Sequence, residues 1–242
     1  VVKWRSKTII GLLAILVLVW TSLGFMILVT RPVDDTVVIY PIFTYAAYQR
    51  HGFYNYYCST IQNSTWCKRN FPEKCQEECL TIPVREKLNE STGTKSDASQ
   101  GGLEMLRFLG YHNIITDVEV ANDPGILAKY HKVIVLHNEY ATKREFDAIV
   151  NHPDVTYLYA NALDVEVSFN ATDSTITLIK GHGYKVLTEA LGWRYSHDSK
   201  AEQDRYCWNW KFESVPNGRI LNCYPELPTH YMPNMWYAIK YG

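Results

Sequence analysis

From Thr8 to Thr30 the chain runs for 23 residues without a charge, TIIGLLAILVLVWTSLGFMILVT. As a helix that stretch reaches about 34 Å, more than the ~30 Å hydrocarbon layer of a bilayer, so a membrane span is expected over residues 8–30. A cleaved secretory signal has a shorter apolar region, about 7–15 residues, closed by a small-residue cleavage site. Here the run flows into Val29-Thr30-Arg31-Pro32, which favours a retained single-pass anchor. Lys3, Arg5 and Lys7 precede it, and Arg31, Asp34 and Asp35 follow. The positive-inside rule then makes residues 1–7 a cytoplasmic tail and residues 31–242 an extracytoplasmic domain of a cell-membrane protein, extracellular or pseudoperiplasmic.

The six cysteines agree with that side of the membrane. Cys58, Cys67, Cys75, Cys79, Cys207 and Cys223 all follow the span, and an even number suits disulfides in an oxidising compartment. The spacing over 58–79 lacks the paired short knuckles of a structural zinc site, so a disulfide-closed surface lobe is expected there. Three glycosylation sequons, at Asn63, Asn89 and Asn170, also follow the span. Setting aside the three basic residues ahead of it leaves 21 of the 24 Lys and Arg against 25 Asp and Glu. A mildly acidic exterior domain is a poor nucleic-acid binder.

Within 31–242 the most informative stretch is Lys132–Thr142, KVIVLHNEYAT. Val133–Leu136 is apolar without alternation, as in a strand buried on both faces of a parallel sheet. It stops in His137, Asn138, Glu139 and Tyr140, four residues able to donate, accept or ligate. Thr142 with Glu145 forms a capping box for a helix over Lys143–Val150. A second buried strand, Val155–Tyr159, ends in Ala160-Asn161-Ala162-Leu163, so a right-handed βαβ unit brings two polar tips to one sheet edge. Open α/β sheets place their ligand crevices at such an edge; ordinary loops satisfying local backbone are the competing reading.

The remaining elements follow from the same signals. Thr36–Ile42 reads as the first strand, and Phe43–Tyr57 is crowded with aromatics. Residues 89–102 are rich in Ser, Thr and Gly and read as a loop. A helix over Leu103–Leu109 capped by Gly110 precedes a strand over Ile114–Val120, and Asp123-Pro124 starts a helical turn. Val165–Phe169 and Thr175–Ile179 alternate as a hairpin. Gly181-His182-Gly183 marks a tight turn or an exposed histidine beside the site, and a helix follows around Val186–Leu191. Cys207–Lys211 and Arg219–Cys223 flank Asn217-Gly218, a hairpin whose ends Cys207 and Cys223 can bridge. The fold class is therefore α/β: a mostly parallel sheet flanked by helices, a hairpin-rich C-terminal part and one N-terminal transmembrane helix.

The chain has no G-x-S-x-G elbow, no phosphate-cradling glycine loop and no cysteine at a strand-to-helix turn. Serine or cysteine nucleophiles are thereby disfavoured. Acid–base or metal-assisted chemistry remains, with Glu139 as carboxylate, His137 as imidazole and Tyr140 as phenol. In an extended segment His137 and Glu139 share a face and Tyr140 takes the other, unless the strand has already ended.

Three blocks in order, FTYAAYQRHGFYNYY, VLHNEYATKREFDAI and VTYLYANALDVEV, resemble the C-terminal domain of the large (beta) subunit of N,N-dimethylformamidase and its relatives. The chain also resembles single-pass archaeal membrane proteins without an assigned function. The resemblance implies a class I glutamine-amidotransferase-like, flavodoxin-like sheet. It places Thr44, Tyr45, Ala47, Tyr48, Gly52 and Tyr57 at the family's first motif, His137, Glu139 and Tyr140 at its second, and Asn161, Ala162 and Leu163 at its third. The amidase of that family holds one iron through two tyrosines and a glutamate and hydrolyses a small amide with activated water. Carried over, this implies Tyr140 and Tyr57 as ligands of an iron or zinc ion, with no residue matched to the acidic ligand. His137 or Glu139 would be the base, and Tyr45, Tyr48 and Asn161 would contact substrate or partner. Asn138 and Ala141 depart from the family's pattern. That favours a non-catalytic member binding a small-molecule ligand or a membrane-protein complex; the alternative is a metal-dependent hydrolase of a small amide C–N bond.

Overall fold

The computed structural model describes residues 2–62, 64–84, 99–186, 190–195, 201, 204–225 and 232–242, with side chains from Ile9 onward. The sequons at Asn63 and Asn89, most of the 89–102 loop and the middle of the 186–191 helix lie outside the described residues.

Helix α1, Val2–Thr30, contains one apolar stretch long enough to cross a membrane, Ile9–Thr30. Strand β1 (Thr36–Tyr40) follows, buried along its whole length. The strand expected to reach Ile42 stops at Tyr40. Pro41 has no N–H to continue the ladder, and Ile42 already opens α2, Ile42–Ala47. Next come α3 (Phe53–Thr60), α4 (Thr65–Asn70) and the short edge strand β2 (Thr81–Pro83). Helix α5 spans Gln100–Phe108, starting three residues before the expected Leu103, and Gly110 beyond it takes the left-handed φ of +92°.

The strand expected over Ile114–Val120 is corrected to β3, Ile114–Thr116, with helix α6 over Asp117–Asn122. Thr116 accepts from the Glu119 N–H while Glu119 accepts from the Thr116 N–H at 2.7 Å, and this capping box starts the helix where the β-branched pattern would have carried on the strand. A 3₁₀ turn, Pro124–Lys129, begins on Asp123 as anticipated. It delivers the chain to β4, Lys132–Val135. After β5 (Tyr140–Thr142), α7 occupies Lys143–Val150 with the Thr142–Glu145 capping box in place, and β6 covers Val155–Tyr157. The hairpin β7 (Val165–Asn170) and β8 (Thr175–Lys180) forms as read. In the last hairpin the strands are β9, Phe212–Val215, and β10, Gly218–Leu221, so Cys207–Lys211 precedes the first strand instead of forming it. A Cβ on Gly218 would lie 1.9 Å from the Val155 carbonyl oxygen, so the β10–β6 pairing requires glycine at that point. The chain closes with a helix over Pro233–Tyr241.

The main sheet has the order β3-β1-β4-β6-β10-β9, parallel except at β9. Val38, Tyr40, Ile134 and Leu136 belong to the core on one face, while Val37, Ile39, Val133 and Val135 belong to the other. Burial on both faces is why these strands show no alternation. A second sheet, β2-β8-β7-β5, was not anticipated: Tyr140–Thr142 leaves the β4 line and pairs in parallel with Val165–Val167. Disulfides join Cys58 to Cys67, Cys75 to Cys79 and Cys207 to Cys223, leaving no free thiol among the described residues. The expected oxidised lobe and the bridged C-terminal hairpin are both present.

Candidate functional site

The chain bends at His137 where it crosses from the main sheet to the second one. The two polar tips meet there. Leu163 N–H donates to the Asn138 carbonyl at 2.7 Å, and Asp164 and Val165 both donate to the Glu139 carbonyl, at 3.0 and 2.9 Å. The His137 ring lies over Tyr159, centroids 5.6 Å apart.

Glu139 is the hub. Its side chain has no exposed surface, yet it is met by donors from three directions. Tyr48 O–H donates to Oε2 at 2.8 Å and Tyr54 O–H to Oε1 at 2.9 Å, and the two phenol oxygens are 2.8 Å from one another. His182 Nε2 is bonded to Oε1 as well. His137 Nε2 sits 3.4 Å from Oε2, near enough for charge attraction but not aligned for a hydrogen bond, and it has no other hydrogen-bond partner. Its Nδ1 is in contact with Tyr224 O–H at 2.9 Å, and its backbone N–H donates to Ser99 Oγ.

Local sequence explains how these groups arrive. Tyr48 closes α2 and Tyr54 opens α3, and a Cβ on Gly52 between them would lie 2.2 Å from the Ala47 carbonyl oxygen, so only glycine lets the two helices turn this tightly. His182 is held by three successive positive φ values, +128° at Gly181, +50° at His182 and +81° at Gly183, which turn the imidazole back toward Glu139. His182 thus lies in the tight turn that the glycines mark, half-buried and not exposed, with its imidazole on Glu139.

Burial alone would raise the Glu139 carboxyl. His182 and, less strongly, His137 outweigh that and hold it well below the usual carboxylate range. Tyr48, Tyr54 and Tyr140 are pushed well above the ordinary phenol value by burial and then by the Glu139 charge. The Tyr48 and Tyr54 phenols are therefore donors to a carboxylate.

Other sequence-named residues lie around this hub. Tyr140 is buried, its ring parallel to His182 at 5.9 Å and against Phe53 at 5.4 Å, with its N–H on Thr44 Oγ1. It shares the core of Tyr48 and Tyr54, on the same side as Glu139, because the bend at His137 ends the strand's alternation. Tyr57 is half-buried, edge-on to His182, and its hydroxyl donates to Gln62. Tyr45 is half-buried on α2, one turn before Tyr48. Asn161 is buried, with Oδ1 lacking a hydrogen-bond partner. Asn170, the described sequon, lies exposed at the tip of the β7–β8 hairpin, its amide bonded to Asp173. Sequence reading did not single out Tyr54 or Tyr224; Tyr54 sits in the aromatic block and Tyr224 follows a bridged cysteine, but neither spacing marks a partner so far along the chain.

One further group offers metal-type atoms: His51, Cys75 and Cys79 lie within 4.8 Å of one another. Both sulfurs are bonded together in a disulfide and cannot act as thiolate ligands.

A family model described as N,N-dimethylformamidase beta subunit-like, C-terminal, matches residues 16–220. A search of curated proteins found no match.

Proposed function

The chain belongs to the N,N-dimethylformamidase beta subunit-like C-terminal family, and from that premise we propose that Tyr48, Tyr54 and Glu139 form a single-metal site for hydrolysis of a small amide C–N bond. What carries the reading is the close triangle of oxygens: two phenols 2.8 Å apart, each within 2.9 Å of one carboxylate. Two tyrosines and one glutamate is also the ligand set that the sequence resemblance implies. In this assignment Tyr48 and Tyr54 take the places given from sequence to Tyr140 and Tyr57, and Glu139 supplies the missing acidic ligand. The unpartnered His137 Nε2, 3.4 Å from the carboxylate, adds a nitrogen donor at the same point. Such hard oxygen donors suit an ion like iron better than a soft one.

When bound, the ion would supply Lewis-acid polarisation of an amide carbonyl and of a water molecule. The chain's own residues set the conditions. Glu139 stays ionised at neutral pH, and the charge that keeps the phenols protonated is one that a cation would offset. His182, whose side chain keeps partial exposure, links the buried carboxylate to the surface and can pass a proton between them. Tyr224 fixes the His137 ring by its other nitrogen. The domain would work on the outer side of the membrane, anchored by α1. The basic residues ahead of the span and the three disulfides support that placement, and the sequons at Asn63, Asn89 and Asn170 would then be accessible to glycosylation.

Metal analysis of full-length protein purified without chelator tests this. About one iron or zinc ion per chain is expected, lost in Tyr48→Phe/Tyr54→Phe and retained in Tyr57→Phe. A metal-free protein, or metal kept by the double variant, would overturn it. One observation favours a second reading, a non-catalytic domain that binds a ligand or a membrane-protein partner. Glu139 is fully covered, and Tyr48, Tyr54 and His182 all bond to its carboxylate. Metal-free protein that co-purifies stoichiometrically with a membrane complex would support that reading.

A further inference from the structure

The end of α1 is not a free stalk. Val29 is fully buried in the main core and Phe25, one turn earlier, packs against it. The C-terminal helix Pro233–Tyr241, beyond the residues matched by the family model, locks this junction. Met235 and Ile239 face the core. Lys240 Nζ donates to the carbonyls of Val29 and Leu109, each at 2.7 Å, and also to that of Arg31. One ammonium thus satisfies the ends of α1 and α5 together. Val33 N–H donates to the Gly110 carbonyl at 2.9 Å, so the short link to β1 is tied down too.

The outer face of this helix is aromatic. Tyr237 is 51% exposed and Tyr241 44%, their rings 5.0 Å apart, and beside them Phe108, 41% exposed, lies against Trp236. The depth of these rings is fixed by one contact: Tyr241 O–H donates to the Leu28 carbonyl at 2.9 Å. Leu28 lies inside the apolar stretch Ile9–Thr30, two residues and so about 3 Å short of its end. A hollow lined by Gly24, Ile27, Leu28, Thr30, Arg31 and Pro32 opens at the same level.

We propose that Phe108, Trp236, Tyr237 and Tyr241 form a foot that rests in the phospholipid headgroup layer of the membrane α1 spans, with Arg31 facing lipid phosphate. The proposal rests on the reading of α1 as a span. The occupant is lipid because the rings are continuous with the lipid-facing surface of α1, at the depth where rings with one apolar body and one polar end are enriched. The foot fixes orientation as well as attachment. Strand β1 runs away from α1, and β4 is parallel to it, so the tips carrying His137 and Glu139 are held at the end of the sheet away from the bilayer.

The test uses the full chain in nanodiscs of dioleoylphosphatidylcholine and dioleoylphosphatidylglycerol, with a benzophenone photo-crosslinker in place of Tyr237. A control carries it in place of Lys143, at the start of α7 and the opposite end of the sheet. Lipid adduct at 237 should exceed that at 143 by on the order of tenfold. Equal adduct at the two positions, or protein–protein crosslinks alone at 237, would overturn the foot. Alkaline carbonate extraction separates the two premises: protein stripped from the membrane removes the span and the foot with it, whereas retained protein without lipid adduct at 237 sinks the foot alone.

Discussion

Glu139 keeps its charge where burial alone would remove it, because the imidazoles of His182 and His137 oppose that burial. The sign follows. Its folded-state pKa is depressed, so it contributes stability above the ordinary carboxylate range, and that contribution is lost as pH falls through the lower folded value. His182→Ala removes the largest charge support and should move the acid unfolding midpoint to higher pH, as followed by circular dichroism. Glu139→Gln puts an N–H donor against one of the two phenol donors. The resulting mismatch should lower stability by about 1–3 kcal/mol, read from the denaturant midpoint. The sequence named His137 and Glu139 together, but they meet at a bend beyond the end of β4 and not through strand alternation. Tyr54 and Tyr224 were not assignable, because they reach the pair from 85 and 87 residues away and no local pattern encodes a meeting at that distance; His182 was marked by its flanking glycines, but nothing local named Glu139, 43 residues away, as its partner.

At the scale of elements, the two capping boxes show what a sequence discloses and why. Thr142 and Glu145 follow polar residues, so the helix start stands out; Thr116 and Glu119 sit inside Ile-Ile-Thr-Asp-Val-Glu-Val, where β-branched residues mimic a strand. The backbone follows the cap in both places. Thr116→Ala and Thr142→Ala should each cost about 1 kcal/mol in thermal or denaturant unfolding. The turn at Gly181 is a sharper case, since a Cβ there would lie 2.9 Å from Val165 Cγ1 on a backbone at φ +128°. Gly181→Ala should therefore displace His182, and the acid midpoint should shift as in His182→Ala while the disulfides stay intact. The parallel sheet was legible from unbroken apolar runs. The second sheet was hidden because its β5 is only Tyr140–Thr142, too short to show a period.

Across the whole molecule, a pair of buried carboxyls works against Glu139. Asp117 and Glu145 are both fully covered and are raised well above the usual carboxylate range, chiefly by burial; Asp117 raises Glu145 further. Backbone N–H groups face them where cations would be expected. Asp117 accepts from Phe43 at the start of α2 and from Val118 in α6, at 2.8 and 2.9 Å, while Glu145 caps the start of α7. Three helix N-termini thus offset part of the burial cost without reversing its direction. The sign is opposite to that of Glu139. With folded pKa values above the unfolded ones, the pair stabilises the fold while protonated, and that stability is lost as pH rises through the folded values. Stability should therefore peak on the mildly acidic side, falling at low pH through Glu139 and at higher pH through this pair. Glu145 Oε2 accepts from the Thr142 N–H, so a glutamine can keep that contact while removing the titrating group beside Asp117. Glu145→Gln should flatten the alkaline limb, by about 1.4 kcal/mol for each unit by which the native carboxyl is raised. Thermal unfolding of wild type and variant from acid to alkaline pH checks it. Parallel curves for the two proteins would mean that the pair does not set the alkaline limb.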